Sequence, residues 1–485
     1  MAGLPSTVVA AEPASTNAAA GQMLLNGSLG QLVKVPTNAV PANLLPPSDI
    51  GVESQVPQPA RGAQVADPVL QRQQEAQDRQ AAFEFFPAAQ PKLMPYLGSL
   101  EVLGNTAIRP GALIATTPWD ALAQSAKYRL SQYGLSYALQ QTATFVTMTD
   151  VKQGDNTLAY YTLNFPAKWA VFSTAGGGSA GWISSQLGLK SGLGYAGGSQ
   201  DAKSNLGTLT DPTGIWSGVN GIRVQELAWQ QSLFDGHLVA VAGMVNQGNY
   251  FDANTYANSG RGQYLNSALI NSMVLPLPAY NFGANLQWQP RPDWYAMLGG
   301  SVGKAPAGQV PWTDFNWNNW SLLSEFGFAP KDVLGLGPGV YRIQPFLAQA
   351  GGPTQAGLCF NLQQQLGKDA PFGWFGRFGF GGEEVSAGAA AQVGTGFAIR
   401  GPLEQLGLAP SRSNDGVGLG FLWSQPSASS ATVVHENEFG LEAIYVLQLT
   451  PMAKLQSDFQ AIWDPAYNPN ASHAFVIQIQ LALAW

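Results

Sequence analysis

Residues 473–485 alternate in polarity up to the end of the chain. Phe475, Ile477, Ile479, Leu481, Leu483 and Trp485 share one parity, and Ala474, Val476, Gln478, Gln480, Ala482 and Ala484 share the other. Successive side chains of a strand point to opposite faces, so one face here is large and apolar and the other small or polar. A tilted strand of roughly 9–11 residues crosses a bilayer. A chain that closes on such a segment, with an aromatic last, is constrained toward an outer-membrane β-barrel.

The composition agrees. Only 11% of the 485 residues are charged, while 45% are hydrophobic and 11% aromatic. Soluble domains carry about 25% charged residues, so much of this surface does not face water. Yet no apolar run reaches the roughly 18 residues of a helical span. Alternating strands resolve that conflict, because average hydropathy stays low while one face is greasy. The abundant Gly, Trp, Tyr and Phe suit tight turns, crowded walls and interfacial girdles.

The alternation recurs upstream, between punctuating Gly, Pro, Asn and Asp. It predicts strands at 133–149, 157–166, 180–190, 222–232, 237–247, 280–289, 293–303, 319–328, 339–350, 355–366, 371–381, 389–400, 415–425, 437–449, 452–463 and 473–485. About sixteen is an even number, as single-chain bacterial barrels require. In 437–449, Phe439, Leu441, Tyr445 and Leu447 oppose Glu438, Glu442 and Gln448. In 452–463, Leu455, Phe459 and Trp463 oppose Lys454, Gln456, Asp458 and Gln460. In 371–381, Phe372, Trp374, Phe378 and Phe380 oppose Arg377, and in 415–425 Val417, Leu419, Phe421 and Trp423 oppose three glycines. Parity does not say which face is inside; size does. About sixteen strands enclose a space too wide for side chains to fill. The polar face then lines water and the apolar face meets lipid, and closure leaves no unpaired edge.

Outside the strands, residues 1–11 resemble the remnant of a signal peptide, with small residues near Val9 and Ala11 but no basic start or long apolar core. Residues 12–95 form a Pro/Ala/Gln-rich leader that cannot build a core, with one short helix starting at Asp67-Pro68. A second helix is expected at 118–131, opening the barrel region 118–485, with Trp119, Leu122, Ala126 and Leu130 near one face. Two stretches, 191–220 and 248–279, are too long for hairpin turns; they lie outside the barrel or fold into its lumen.

No catalytic or cofactor motif is present: no P-loop, no G-x-S-x-G, no H-E-x-x-H. The single Cys359 excludes a thiolate cluster, and His237, His435 and His473 lack ligand spacing, so neither cofactor nor metal is expected. Mild acidity, a net charge of −7, argues against a nucleic-acid partner. The informative residues are charges expected to face the lumen. Arg223 and Glu226 lie on one strand and Arg261 in the 248–279 stretch, while Glu325, Arg342, Arg377, Glu438, Glu442, Lys454 and Asp458 sit on other strands. Mixed acids and bases offer sugar hydroxyls both donors and acceptors. Trp229, Tyr250, Phe251, Tyr256 and Tyr264 are candidates to stack on sugar rings.

From about Trp119 to Trp485 the chain resembles the carbohydrate-selective porins of the OprB type. "VQELAWQQSLFDGHLVAVAGMVNQGNYFDANTYANSGRGQYLNSAL" (224–269) is similar to that family's Glu/Gln-bearing strand, its hairpin and its "F-x-N" segment. "QWQPRPDWYAMLGG" and "PFGWFGRFGFGGEE" resemble the next hairpin and a later Arg-bearing strand. In the C-terminal signature Glu442, Tyr445, Gln448, Pro451, Gln456, Asp458 and Gln460 match, while Ser457, Ala461 and the terminal Trp485 depart. The resemblance implies a sixteen-stranded barrel of the bacterial outer membrane, often trimeric, that passes sugars by diffusion. It places Arg223 and Glu226, and more loosely Arg261, at a constriction. The expected partners are thus sugars, outer-membrane lipid and two further copies of the chain. Competing readings are a general or anion and organic-acid pore, a structural or adhesive barrel plugged by its own loops, and an outer-membrane hydrolase.

Overall fold

A computed structural model describes residues 113–114 and 117–484, apart from 174–178, 195–200, 216–219, 235, 304–315, 368–371, 383–387, 409–411, 413 and 429–432. The expected signal remnant, the 12–95 leader with its helix, and Trp485 lie outside the described residues. A helix α1, Pro118–Gln132, precedes the strands, as its pattern predicts.

The strands are β1 Leu135–Tyr137, β2 Gln140–Met148, β3 Thr157–Ser173, β4 Ser179–Gly192, β5 Gly221–Leu233 and β6 Leu238–Val245. They continue with β7 Asn281–Arg291, β8 Trp294–Val302, β9 Asn319–Phe328, β10 Gly339–Ala350, β11 Gln355–Gln365 and β12 Phe372–Gly381. The last are β13 Ala389–Arg400, β14 Gly416–Pro426, β15 Glu438–Thr450, β16 Ala453–Trp463 and β17 His473–Ala484. From β2 onward each pairs antiparallel with the next, and β17 pairs back with β2, as in Ile479 opposite Phe145. The barrel is therefore closed with sixteen strands, at the positions the alternation predicts. The expected first strand is interrupted at Ala138–Leu139, yet β1 and β2 keep one register on β3. The second runs on to Ser173, beyond the expected end at 166, through an irregularity between Ala170 and Phe172. No described helix is long and apolar enough to cross a membrane.

Face assignment follows the sequence. On β17, Ile479 is 50% exposed on the outer side while its neighbour Gln480 is 0% exposed on the inner side. The same alternation holds on β14, β15 and β16. Connections also alternate. At one end, residues 292–293 and 451–452 suffice to turn the chain, whereas at the other end 193–220 and 246–280 intervene. Leu113 N and Ile114 N donate to Gln448 O and Leu449 O, so the approach to α1 is tied to the end with the tight turns.

If the outer face meets lipid, Ile479→Arg near the middle of β17 costs about 2–4 kcal/mol, whereas Ile479→Val costs about 0.5–1.5 kcal/mol. Urea titration of the barrel folded into lipid vesicles checks this. Equal costs for the two substitutions would mean that this face is not in hydrocarbon.

Candidate functional site

Two connections fold into the barrel and are held by inward-facing wall residues. The first covers residues 201–215. It starts with a short helix α2, Ala202–Leu206, ended by Gly207 at φ 70°, the left-handed conformation that glycine tolerates best. Beyond this turn, the backbone amides of Leu209 and Thr210 and the Thr210 hydroxyl all donate to the Glu438 carboxylate on β15. Ala466 N donates to the same carboxylate at 3.0 Å. Asn468 Nδ2 donates to Leu206 O at 2.9 Å, which lashes α2 to the β16–β17 connection. Ile215 and Leu206 pack on Val146, Leu158, Tyr160 and Val476 of the wall.

The second segment covers 246–279. Its base closes where Gln247 N donates to Pro278 O. The side chain of Asn246 accepts from Gly248 N and caps a turn of 3-10 helix, Gln247–Asn249. Asn249 Nδ2 and the Tyr250 hydroxyl then donate to Glu226 on β5, at 3.0 and 2.9 Å. Asp252 sits at φ 64°, an unusual conformation for a non-glycine residue. Its carboxylate accepts from Arg377 Nε on β12 at 3.1 Å and from Asn361 Nδ2 on β11 at 2.6 Å. Its backbone N–H donates to Glu325 on β9, which also accepts from Tyr295 and Gln344 and lies 3.6 Å from Arg342. Further along, Leu265 N and Asn266 N donate to Glu442 on β15, at 2.5 and 3.0 Å. A short helix α3, Ser267–Ile270, follows, capped by Asn266. Arg377 Nη1 and Gln392 Nε2 donate to Leu269 O and Ala268 O at its end. The two segments join directly, since Ser267 N donates to Asp211 O and Asp211 N to Ser267 Oγ.

Glycine on the inner face of the wall makes this insertion possible. A Cβ on Gly418 would lie 2.8 Å from the Tyr264 hydroxyl, and one on Gly420 would lie 2.5 Å from Leu269. Both distances are shorter than packed atoms permit, so the glycine parity of β14 is a seat for the second segment.

The expected site residues therefore separate into groups. Glu226, Glu325, Arg377 and Glu442 do face inward, but their polar atoms are engaged by the inner segments. They position the segments rather than line open water. Asp458 faces inward beside them and accepts from Gln460 and Gln478. Arg223 and Glu226 are three apart, which on a regular strand would put them on opposite faces. Gln225 is looped out between Gln186–Glu226 and Leu187–Val224, and this bulge turns both inward. Lys190 on β4 lies within electrostatic range of Arg223, Arg261 and Asp211. Burial pushes the Asp211 carboxyl above the usual carboxylate range, against two hydrogen bonds from Thr213.

Trp229 is a correction. It shares its parity with Leu227, lies 38% exposed on the outer face and stacks on Phe172 at 6.1 Å. It belongs to the outer surface of the barrel, because the parity set by the bulge at Gln225 sends Glu226 and Ala228 inward instead. Tyr250, Phe251, Tyr256 and Tyr264 are likewise buried as anchors of the second segment, so their rings pack on the wall. Asp252, Asn361, Gln392, Lys190 and Asp211 were not among the expected residues. The long "FDANTYANSG" stretch beside unpaired inward acids is the signal that would have pointed to Asp252.

Comparison with known proteins places this architecture. Residues 191–483 match the family model described as carbohydrate-selective porin, OprB family. The high-pH structure of Pseudomonas putida OprB superposes with a TM-score of 0.61 at 14% identity, over 78% of this chain and 100% of that one. Its low-pH structure covers the same shares at 16% identity with a TM-score of 0.48. A protein of Aquifex aeolicus (strain VF5), described as uncharacterized, is 30% identical over 91 residues. That match spans 19% of this chain and 26% of the relative.

The Asp252–Arg377 pair predicts how the second segment responds to mutation. Removing one member of a buried ion pair costs about 3–5 kcal/mol. Asp252→Ala should leave strand content by circular dichroism unchanged, because the wall ladders do not involve it. It should speed proteolysis within 252–270 and enlarge single-channel conductance in planar bilayers. Unchanged conductance and protease resistance would show that other contacts hold the segment.

Proposed function

Because the chain belongs to the carbohydrate-selective porins of the OprB family, we propose that it is a bacterial outer-membrane channel through which mono- and oligosaccharides diffuse passively. The observation that carries this reading is the pairing of a closed sixteen-stranded barrel, apolar outside and polar within, with two connections folded into the lumen. A general pore needs only the barrel. Inner segments fixed by so many directed hydrogen bonds narrow the pathway and hold its shape, which favours selection by size and by weak polar contacts. Weak contacts are what conduction requires, since a solute has to leave as readily as it enters.

Within the pathway, Lys190, Arg223 and Arg261 gather on the side of β4 and β5, and Asp211 stands near them. These bases donate and the carboxylate accepts, a lining suited to neutral hydroxyl-rich solutes. A transmembrane barrel with no catalytic constellation in its sequence acts by admitting solutes rather than converting them. The family resemblance adds a homotrimer, which native mass spectrometry in detergent would register as a single three-copy species.

Liposome swelling tests the sugar preference. Monosaccharides and disaccharides should enter faster than amino acids of similar size. Equal rates would remove the preference while leaving a porin, and a strongly ion-selective reversal potential in a salt gradient would point to an anion or organic-acid channel instead.

A further inference from the structure

Asp458 on β16 and Glu442 on β15 lie within hydrogen-bonding reach of one another on the inner wall. Register pairs Asp458 with Ile444 and Glu442 with Gln460, so the two carboxyls meet diagonally across adjacent strands. They are 3% and 0% exposed. Among the described residues neither forms an ion pair with Lys, Arg or His. Two carboxylates buried in contact without a counter-charge are unstable, so a proton or a cation has to neutralise the pair.

A second, independent observation points to the cation. Asp458 Oδ2 has no hydrogen-bond partner, and neither do Gln456 Oε1, Gln478 Oε1 and Gln480 Oε1. These glutamines are at most 1% exposed. Register places Gln478 directly opposite Asp458 and Gln480 directly opposite Gln456 on the same face. Facing pairs of this kind hold their Cβ atoms about 4.5–5.5 Å apart, so Asp458 with Gln478 and Gln456 with Gln480 form two adjacent rungs of the same face. The orphaned atoms are oxygens, with one exception, Gln480 Nε2. Carboxylates with amide carbonyls are the donor set of a hard cation, and calcium takes about six to eight such oxygens, water included. Water carried by the ion also gives Gln480 Nε2 an acceptor. A sugar ring needs accessible surface that these atoms lack.

We propose that Asp458 and Glu442, with the amide oxygens of Gln456, Gln478 and Gln480, form a calcium site on the lumen wall. Its position gives it a consequence. Glu442 also holds Leu265 N and Asn266 N, and Gln456 Nε2 donates to Gln263 O at 2.5 Å. An ion here neutralises the wall beneath the second inner segment and fixes residues 263–266 in place.

The test uses the full chain, folded in detergent and stripped with a calcium chelator. Calcium chloride at 1 mM should raise the midpoint of heat-induced unfolding by about 5 °C. Terbium should give aromatic-sensitised luminescence that calcium displaces. The isosteric Asp458→Asn should abolish both responses, and without calcium it should unfold no earlier than the wild type, because one uncompensated charge is gone. Glu442→Gln should lose the calcium response as well. A wild-type midpoint and terbium signal indifferent to calcium at 5 mM would overturn the proposal in favour of a shared proton. Equal stabilisation of Asp458→Asn and wild type by calcium would overturn it in favour of ions bound elsewhere.

Discussion

Backbone amides and carbonyls inside hydrocarbon have to be paired within the protein, because no water is there to take them. Each group left unmet costs several kcal/mol. For a chain of strands the only complete solution is closure, and the β17–β2 ladder supplies it. The rest of the architecture follows from that seam. Once the ring is shut, each strand has a lipid face and a lumen face, and the two-residue period of the strand divides the sequence between them. Side chains that would be core and surface in a soluble protein exchange places, so Ile479 points out and Gln480 points in.

The same requirement operates again inside the ring. A connection that turns into the lumen brings irregular backbone with it, whose amides no ladder satisfies. Wall side chains answer for them. Glu438 takes the amides of Leu209, Thr210 and Ala466, Glu442 takes those of Leu265 and Asn266, and Glu325 takes that of Asp252. Carboxylates suit this work because each offers several acceptor sites, and charge-assisted bonds to backbone N–H are stronger than neutral ones. Carbonyls are met by the complementary donors, Arg377 for Leu269 and Gln392 for Ala268. The wall charges are thus the counterpart of the inserted backbone, in the way that neighbouring strands are counterparts of one another.

This explains why the fold was legible in the sequence and the site less so. Strand positions and faces are carried by a period of two that repeats for many residues, and no tertiary detail is needed to read it. Local events break that reading. One looped-out residue, Gln225, reverses parity within β5, so Arg223 and Glu226 share the inner face while Trp229 turns outward. No composition signal marks that bulge. The roles of Glu226, Glu325, Arg377 and Glu442 were hidden for another reason: a charge facing the lumen looks the same in sequence whether it meets water or a folded-in loop. Asp252 shows the limit most clearly. It holds a left-handed backbone and an ion pair with Arg377, 125 residues away, and neither is encoded locally.

Anchoring also shapes the electrostatics of the pathway. Acids engaged by backbone amides present less negative field to a passing solute, since the dipoles of those N–H groups offset their charge. Glu325, Glu438 and Glu442 are in that condition, Glu226 is met instead by the Asn249 side-chain amide and the Tyr250 hydroxyl, and Asp252 is matched by Arg377. On the β4–β5 side the bases Lys190, Arg223 and Arg261 come together, with Asp211 as the nearby acid. The lumen is therefore uneven even though its acids and bases are both plentiful, with engaged carboxylates along the anchored walls and bases gathered around Lys190 on β4. A neutral solute crosses such an uneven field with little penalty, and its hydroxyls accept from these bases without the full charge that would hold it there. In this way the ties that keep the inserted backbone satisfied also bear on the solute, because they determine which wall charges remain strong enough to be felt.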